Sequence, residues 1–187
     1  MMIYITMKNY SHWEIPMLTS FEKTTVEKLT NQFFEVVPMA ISSYGAVNSK
    51  IVCDVLNHFG IEASLFVCQM QQYSNKGIYT VGFVGDKLQN GQWNGHVICK
   101  IQNWFIDAAL FTFKKKFNIE VPLIIGIRGD DFEQQQFAHY SLSDGSEIKW
   151  FQAPDGFDKS IPDEPFEIIQ KYTHELIKRI DVSEILQ

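Results

Sequence analysis

Cysteine is scarce: only Cys53, Cys68 and Cys99 occur among 187 residues, each set among apolar neighbours. An odd count in such surroundings excludes a disulfide framework and points to reduced thiols and a cytoplasmic location. Long apolar runs are missing too. None approaches the ~20 residues a membrane helix needs, and residues 1–10 lack the basic start and apolar core of an export signal, so neither a membrane anchor nor export is expected. Positive charge is in short supply, with 16 basic against 22 acidic residues and a formal net charge of −6. That balance offers no long-range attraction to a phosphate backbone, which excludes nucleic acid as an expected partner. The basic run Lys114-Lys115-Lys116 reads as the solvated end of a strand or loop.

Metal and nucleotide signatures are absent as well. There is no His-x-x-x-His, no Cys-x-x-Cys and no acidic calcium-type loop, and Gly82-Phe83-Val84-Gly85 lacks the lysine and following helix of a phosphate loop. No metal and no cofactor is expected. Asp130-Asp131 reads as a loop and helix start, His58 as a helix C-terminal cap, and His12, His139 and His174 as surface or packing residues. Without Pro/Gly/Ser-rich linkers, repeats or low-complexity stretches, 1–187 reads as one domain, and at 45% hydrophobic it can bury a sizeable core.

What is present begins with helical spacing. Val26, Leu29, Phe33 and Val37 form one stripe within 18–37, which Pro38 ends. Val47, Ile51, Val55 and Phe59 recur every four residues from Ala46 to Phe59, widened by Val52 and Leu56 and stopped by Gly60, and this predicts a central helix. The helical N-terminal part thus covers about 17–59. Strand-like segments follow over about 61–152, at 61–71, 78–84, 121–127 and 147–152 and in a hairpin at 93–109. Turn signals separate them at 74–77, 85–86, 89–91, 128–131 and 143–145. A closing helix is predicted over about 165–180 by Phe166, Ile169, Tyr172, Leu176 and Ile180. Helices, antiparallel strands and a last helix make an α+β fold with a central helix packed on an antiparallel sheet.

The hairpin carries the chemistry. Alternation of Val97, Cys99 and Ile101 predicts one inward apolar face, with His96, Ile98 and Lys100 on the other. A two-residue turn at Gln102-Asn103 sets Ile98 opposite Asp107. His96 and Asp107 then become diagonal neighbours on one face, roughly 7–8 Å apart at the backbone and within reach of a side-chain hydrogen bond. Such a pair is two thirds of a nucleophilic triad. Trp93, three residues before His96, is expected as a pocket wall.

The order of central helix, strand, His strand and Asp strand resembles the transglutaminase-like branch of the papain-like fold, to which arylamine N-acetyltransferases also belong. The resemblance covers about 42–113. It rests on Leu56-Asn57-His58-Phe59-Gly60-Ile61-Glu62-Ala63, which matches a Leu-x-x-x-Gly-Ile-x-Ala helix ending, and on Gly95-His96-Val97 and Phe105-Ile106-Asp107-Ala108. The chain is also similar to uncharacterised bacterial and phage proteins in which Asn-Cys opens the helix and Trp-x-Gly-His precedes a Leu-x-Asp strand. The resemblance implies a cysteine at the helix start, ionised by the helix N-terminus and the imidazole, with Asp107 fixing the His96 tautomer. Counting back from Leu56 by the family's interval reaches Gly45, which has no nucleophile.

Three readings stay open at this point. In the first, the chain is a non-catalytic relative that binds a peptide or small acyl- or amide-bearing ligand in the former cleft, lined by Ser43, Tyr44, Gly45 and Trp93 beside His96 and Asp107. In the second, it is an active hydrolase or acyltransferase in which Ser42, Ser43, Ser49 or Cys53 serves His96. In the third, it is an interaction protein whose partner surface lies outside the cleft.

Overall fold

A computed structural model describes residues 18–38, 45–84, 94–110, 125–126, 135–157, 159–161 and 165–180. Helix α1 spans Ser20–Val36 and opens on a reciprocal cap: Thr19 Oγ1 accepts the Glu22 N–H, and Glu22 accepts the Thr19 N–H. Helix α2 spans Gly45–His58 and buries Ala46, Val47, Asn48, Ser49, Ile51, Val52, Cys53, Val55 and Leu56. These residues cover the helix except for a stripe through Lys50, Asp54 and Asn57, as expected of a helix packed against other elements over most of its surface. It packs against α1, against the closing helix α3 (Phe166–Arg179) and against the sheet.

The sheet is antiparallel: β1 Ser64–Ser74, β2 Gly77–Val81, β3 His96–Ile101, β4 Trp104–Ile106, β5 Ile125–Gly126, β6 Gln136–Ser141 and β7 Glu147–Gln152. Its order is β5-β4-β3-β1-β7-β6, with β2 also on β1. The long strand β1 is central. On one side it pairs with β7. On the other, β3 runs along Ser64–Cys68 and β2 along Met70–Ser74, so one neighbour replaces the other at Gln69.

The α+β arrangement agrees with the sequence expectation, and three details differ. First, β3 is buried on both faces. Cys99 and Ile101 join the helical core, whereas Ile98 joins a second core with Cys68, Met70, Phe105, Phe137 and Trp150. Curling of the sheet encloses that second core. In a flat sheet β4 and β6, four spacings apart, would be separated by roughly 19 Å. The rings of Phe105 on β4 and Phe137 on β6 instead meet at 5.8 Å, and Phe105 meets Trp150 of β7 at 5.1 Å.

Second, β6 has no counterpart in the sequence pattern, and His139 lies exposed on that strand. A register shift between Gln136 and Ala138 leaves Phe137 and Ala138 both buried, which breaks the period of two that betrays a strand. Third, β1 starts at Ser64 and not at 61, because residues 61–63 complete the end of α2. Gly60 turns with φ +76°, the Ile61 N–H reaches the Leu56 carbonyl, and the Asn57 side chain holds both polar backbone groups of Ala63. The turn signals at 85–86, 89–91 and 128–131, the Lys114–Lys116 run, His12 and most of the 121–127 strand lie outside the described residues.

Candidate functional site

The hairpin register is the one the two-residue turn implies, with Ile101 opposite Trp104 and Cys99 opposite Ile106. Gln102 takes φ +50° at that turn, the left-handed region that a hairpin of this length demands. His96 therefore begins β3 as Asp107 leaves β4, and the diagonal closes: His96 Nε2 lies 2.7 Å from Asp107 Oδ2. Both residues are buried, at 3% and 1% exposure.

Asp107 serves two further donors. Its Oδ2 also accepts the Trp150 Nε1–H at 2.8 Å, and its Oδ1 accepts the Ala109 N–H at 3.0 Å, capping the helical turn that begins at 108. Trp150 is the member of this network that sequence reasoning missed. The strand 147–152 is legible, but that the indole faces a carboxylate 43 residues away depends on the curl of the sheet. In the neutral imidazole, the tautomer that donates Nε2–H to the carboxylate keeps the lone pair on Nδ1.

Nδ1 faces the start of α2. A Cβ built on Gly45 would sit 3.9 Å from His96 Nδ1, ordinary van der Waals contact, and among the described residues outside its own turn of helix nothing else comes within 4 Å of it. Gly45 is also the first described residue of α2. The position reached by counting along the sequence is thus the one at which a side chain would meet the imidazole.

Other candidates separate from this point. Ser49 Oγ donates to the Val97 carbonyl at 2.6 Å and is fully buried, a strut between α2 and β3. Cys53 faces Cys99, with Sγ atoms 2.7 Å apart. Ser42, Ser43, Tyr44 and Trp93 lie outside the described residues. His58 ends α2 and His174 lies on α3, both exposed.

A cysteine that the sequence gave no reason to consider stands beside the dyad. Cys68 is the direct cross-strand partner of His96. It is no substitute nucleophile: burial pushes its thiol well above the ordinary range, and the Asp107 charge pushes the same way, so the reactive thiolate is disfavoured. Gly82, just after β2, abuts His96 with φ +82°, and a Cβ there would lie 2.6 Å from the His96 nitrogen. Gln69, at the point where β2 gives way to β3, holds this junction by donating to the carbonyls of Gly82 at 3.1 Å and Phe83 at 3.4 Å. Among the described residues no cluster of three or more His, Cys, Asp or Glu could hold a metal, and no helix is long and apolar enough to cross a membrane.

No protein-family profile matches the chain, and no curated protein does. A crystal structure of a structural-genomics protein aligns over 58% of this chain and 53% of its own, at 12% identity and a TM-score of 0.33. The match spans about half the length of that protein and is too slight to bear on fold or function.

Proposed function

We propose that the chain is a degenerate relative of the transglutaminase-like, papain-like hydrolases and acyltransferases, which binds a peptide or small amide ligand where the family carries out acyl transfer. One observation carries this reading: the residue that faces the lone pair of a buried, Asp-held imidazole at the start of the central helix is a glycine. A dyad of this kind activates a neighbouring thiol or hydroxyl, and glycine offers none. The Nδ1 lone pair instead suits a ligand that donates a hydrogen bond, as an amide N–H does.

Restoring the thiol tests the reading. In Gly45→Cys the new thiol is expected to titrate below about 7.5, read from the pH dependence of its alkylation by iodoacetamide, and to return towards 8.5 when His96→Ala is added. A Gly45→Cys thiol that titrates near 8.5 with His96 intact would overturn it. Wild-type protein is expected to stay unlabelled by a fluorophosphonate; labelling of Ser42, Ser43 or Ser49 that disappears in His96→Ala would establish an active hydrolase instead. Ligand binding is read from the His96 Nδ1 chemical shift during titration with N-acetyl peptide amides, where a saturable shift is expected and a flat response counts against the cleft.

A further inference from the structure

Cys53 and Cys99 take no part in that reading, and their placement has its own chemistry. Cys53 lies two turns into α2 and Cys99 in the middle of β3; both thiols are free and buried, and their Sγ atoms are 2.7 Å apart. A disulfide bond is about 2.05 Å long, so the two sulfurs need to close by roughly 0.7 Å to bond. We propose that this pair is an oxidisable dithiol which a peroxide converts to a Cys53–Cys99 disulfide, tying α2 covalently to β3.

The step balances in two stages. Cys53, as its thiolate, attacks a peroxide oxygen, breaking the O–O bond to give a sulfenic acid and, with the proton it released, one water. The second thiol attacks the sulfenic sulfur, the S–S bond forms and a second water leaves. Two thiols lose two electrons and two protons, and the peroxide is reduced to two waters. Cys68 is excluded from this exchange, because it belongs to the core on the other face of the sheet.

The location gives the bond a consequence. Helix α2 opens with Gly45 and β3 opens with His96. A cross-link between the two elements fixes the spacing of the surfaces that meet at the candidate site, and it does so whether or not that site binds an amide.

The experiment exposes the full-length, folded protein to hydrogen peroxide, blocks remaining thiols with N-ethylmaleimide after denaturation, and maps the unreduced peptides by mass spectrometry. The expected product has lost the mass of two hydrogens, contains a Cys53–Cys99 cross-linked peptide, keeps Cys68 alkylatable and reverts with dithiothreitol. In Cys99→Ser the cross-link is absent and Cys53 gains oxygen. Three alkylatable thiols after treatment, a bond to Cys68, a bond between chains, or a Cys53–Cys99 bond that forms only in urea would each overturn the proposal. The Gly45→Cys experiment has a separate readout, so either result stands without the other.

Discussion

At the scale of the residue, burial decides what a cysteine does here. Cys68 and Cys99 are both held well above the ordinary thiol range, first by loss of hydration, then by the Asp107 charge for Cys68 and by the hydrogen bond with Cys53 for Cys99. A raised acid pKa means that the folded chain keeps its proton where the unfolded chain loses it. The stabilisation is complete below about pH 8.5, where the unfolded thiol is also protonated, and is lost as the pH rises further. The urea midpoint is therefore expected to fall above about pH 8.5, with each thiol contributing a slope near 1.4 kcal/mol per pH unit, and Cys68→Ala is expected to flatten that slope. A wild-type midpoint flat to pH 10 would contradict the burial argument. Residue types alone identify His96 and Asp107 as a pair, because a hairpin turn of known length makes them neighbours. They do not identify Trp150, whose indole reaches Asp107 from β7.

At the scale of the element, endings carry more information than stripes. The segment from Leu56 to Ala63, which supports the family resemblance, has a local explanation: a left-handed glycine stops α2, Ile61 is buried beneath the stop, and Asn57 clamps the outgoing chain. That explanation would serve any helix turned back into a strand, so the segment is weaker evidence of kinship than of geometry. The junction between β2 and β3 behaves similarly. Gly82 combines φ +82° with an approach so close that a Cβ would meet the His96 nitrogen at 2.6 Å and its Cβ at 2.7 Å. Gly82→Ala must therefore move backbone, not merely a flexible side-chain end. A loss of roughly 1–3 kcal/mol in unfolding free energy is expected, together with a shifted His96 imidazole resonance. An alanine variant with wild-type stability and spectrum would show that the junction is looser than this.

At the scale of the whole molecule, Asp107 joins parts that the chain keeps far apart. It follows β4, holds His96 of β3 and Trp150 of β7, and caps the turn at 108. Its two sequence neighbours, Ile106 and Ala108, belong to the helical core, and Trp150 belongs to the core inside the curled sheet. Removing the carboxylate in Asp107→Ala takes the shared acceptor from two buried donors, His96 Nε2 and Trp150 Nε1, and from the half-buried Ala109 N–H. A loss of about 3–5 kcal/mol in urea unfolding is expected, with both cores loosening in one cooperative transition. A loss below 1 kcal/mol, or two separate transitions, would show that the network does not couple them.

The sequence by itself determined the elements whose signals are local. These are the stripe of α1, the central helix α2 with its glycine stop, the two-residue hairpin that makes His96 and Asp107 diagonal neighbours, and the α+β order. Each depends on periodicity or on a turn within a few residues, and short-range sterics fix both. The tertiary structure alone decided the rest. The curl that brings Phe137 to Phe105 and Trp150 to Asp107, the bulge that conceals β6, the approach of Gly82 to His96 and the meeting of Cys53 with Cys99 all depend on packing between distant segments. Packing is set by how two surfaces fit, and neither surface can be read from its own sequence.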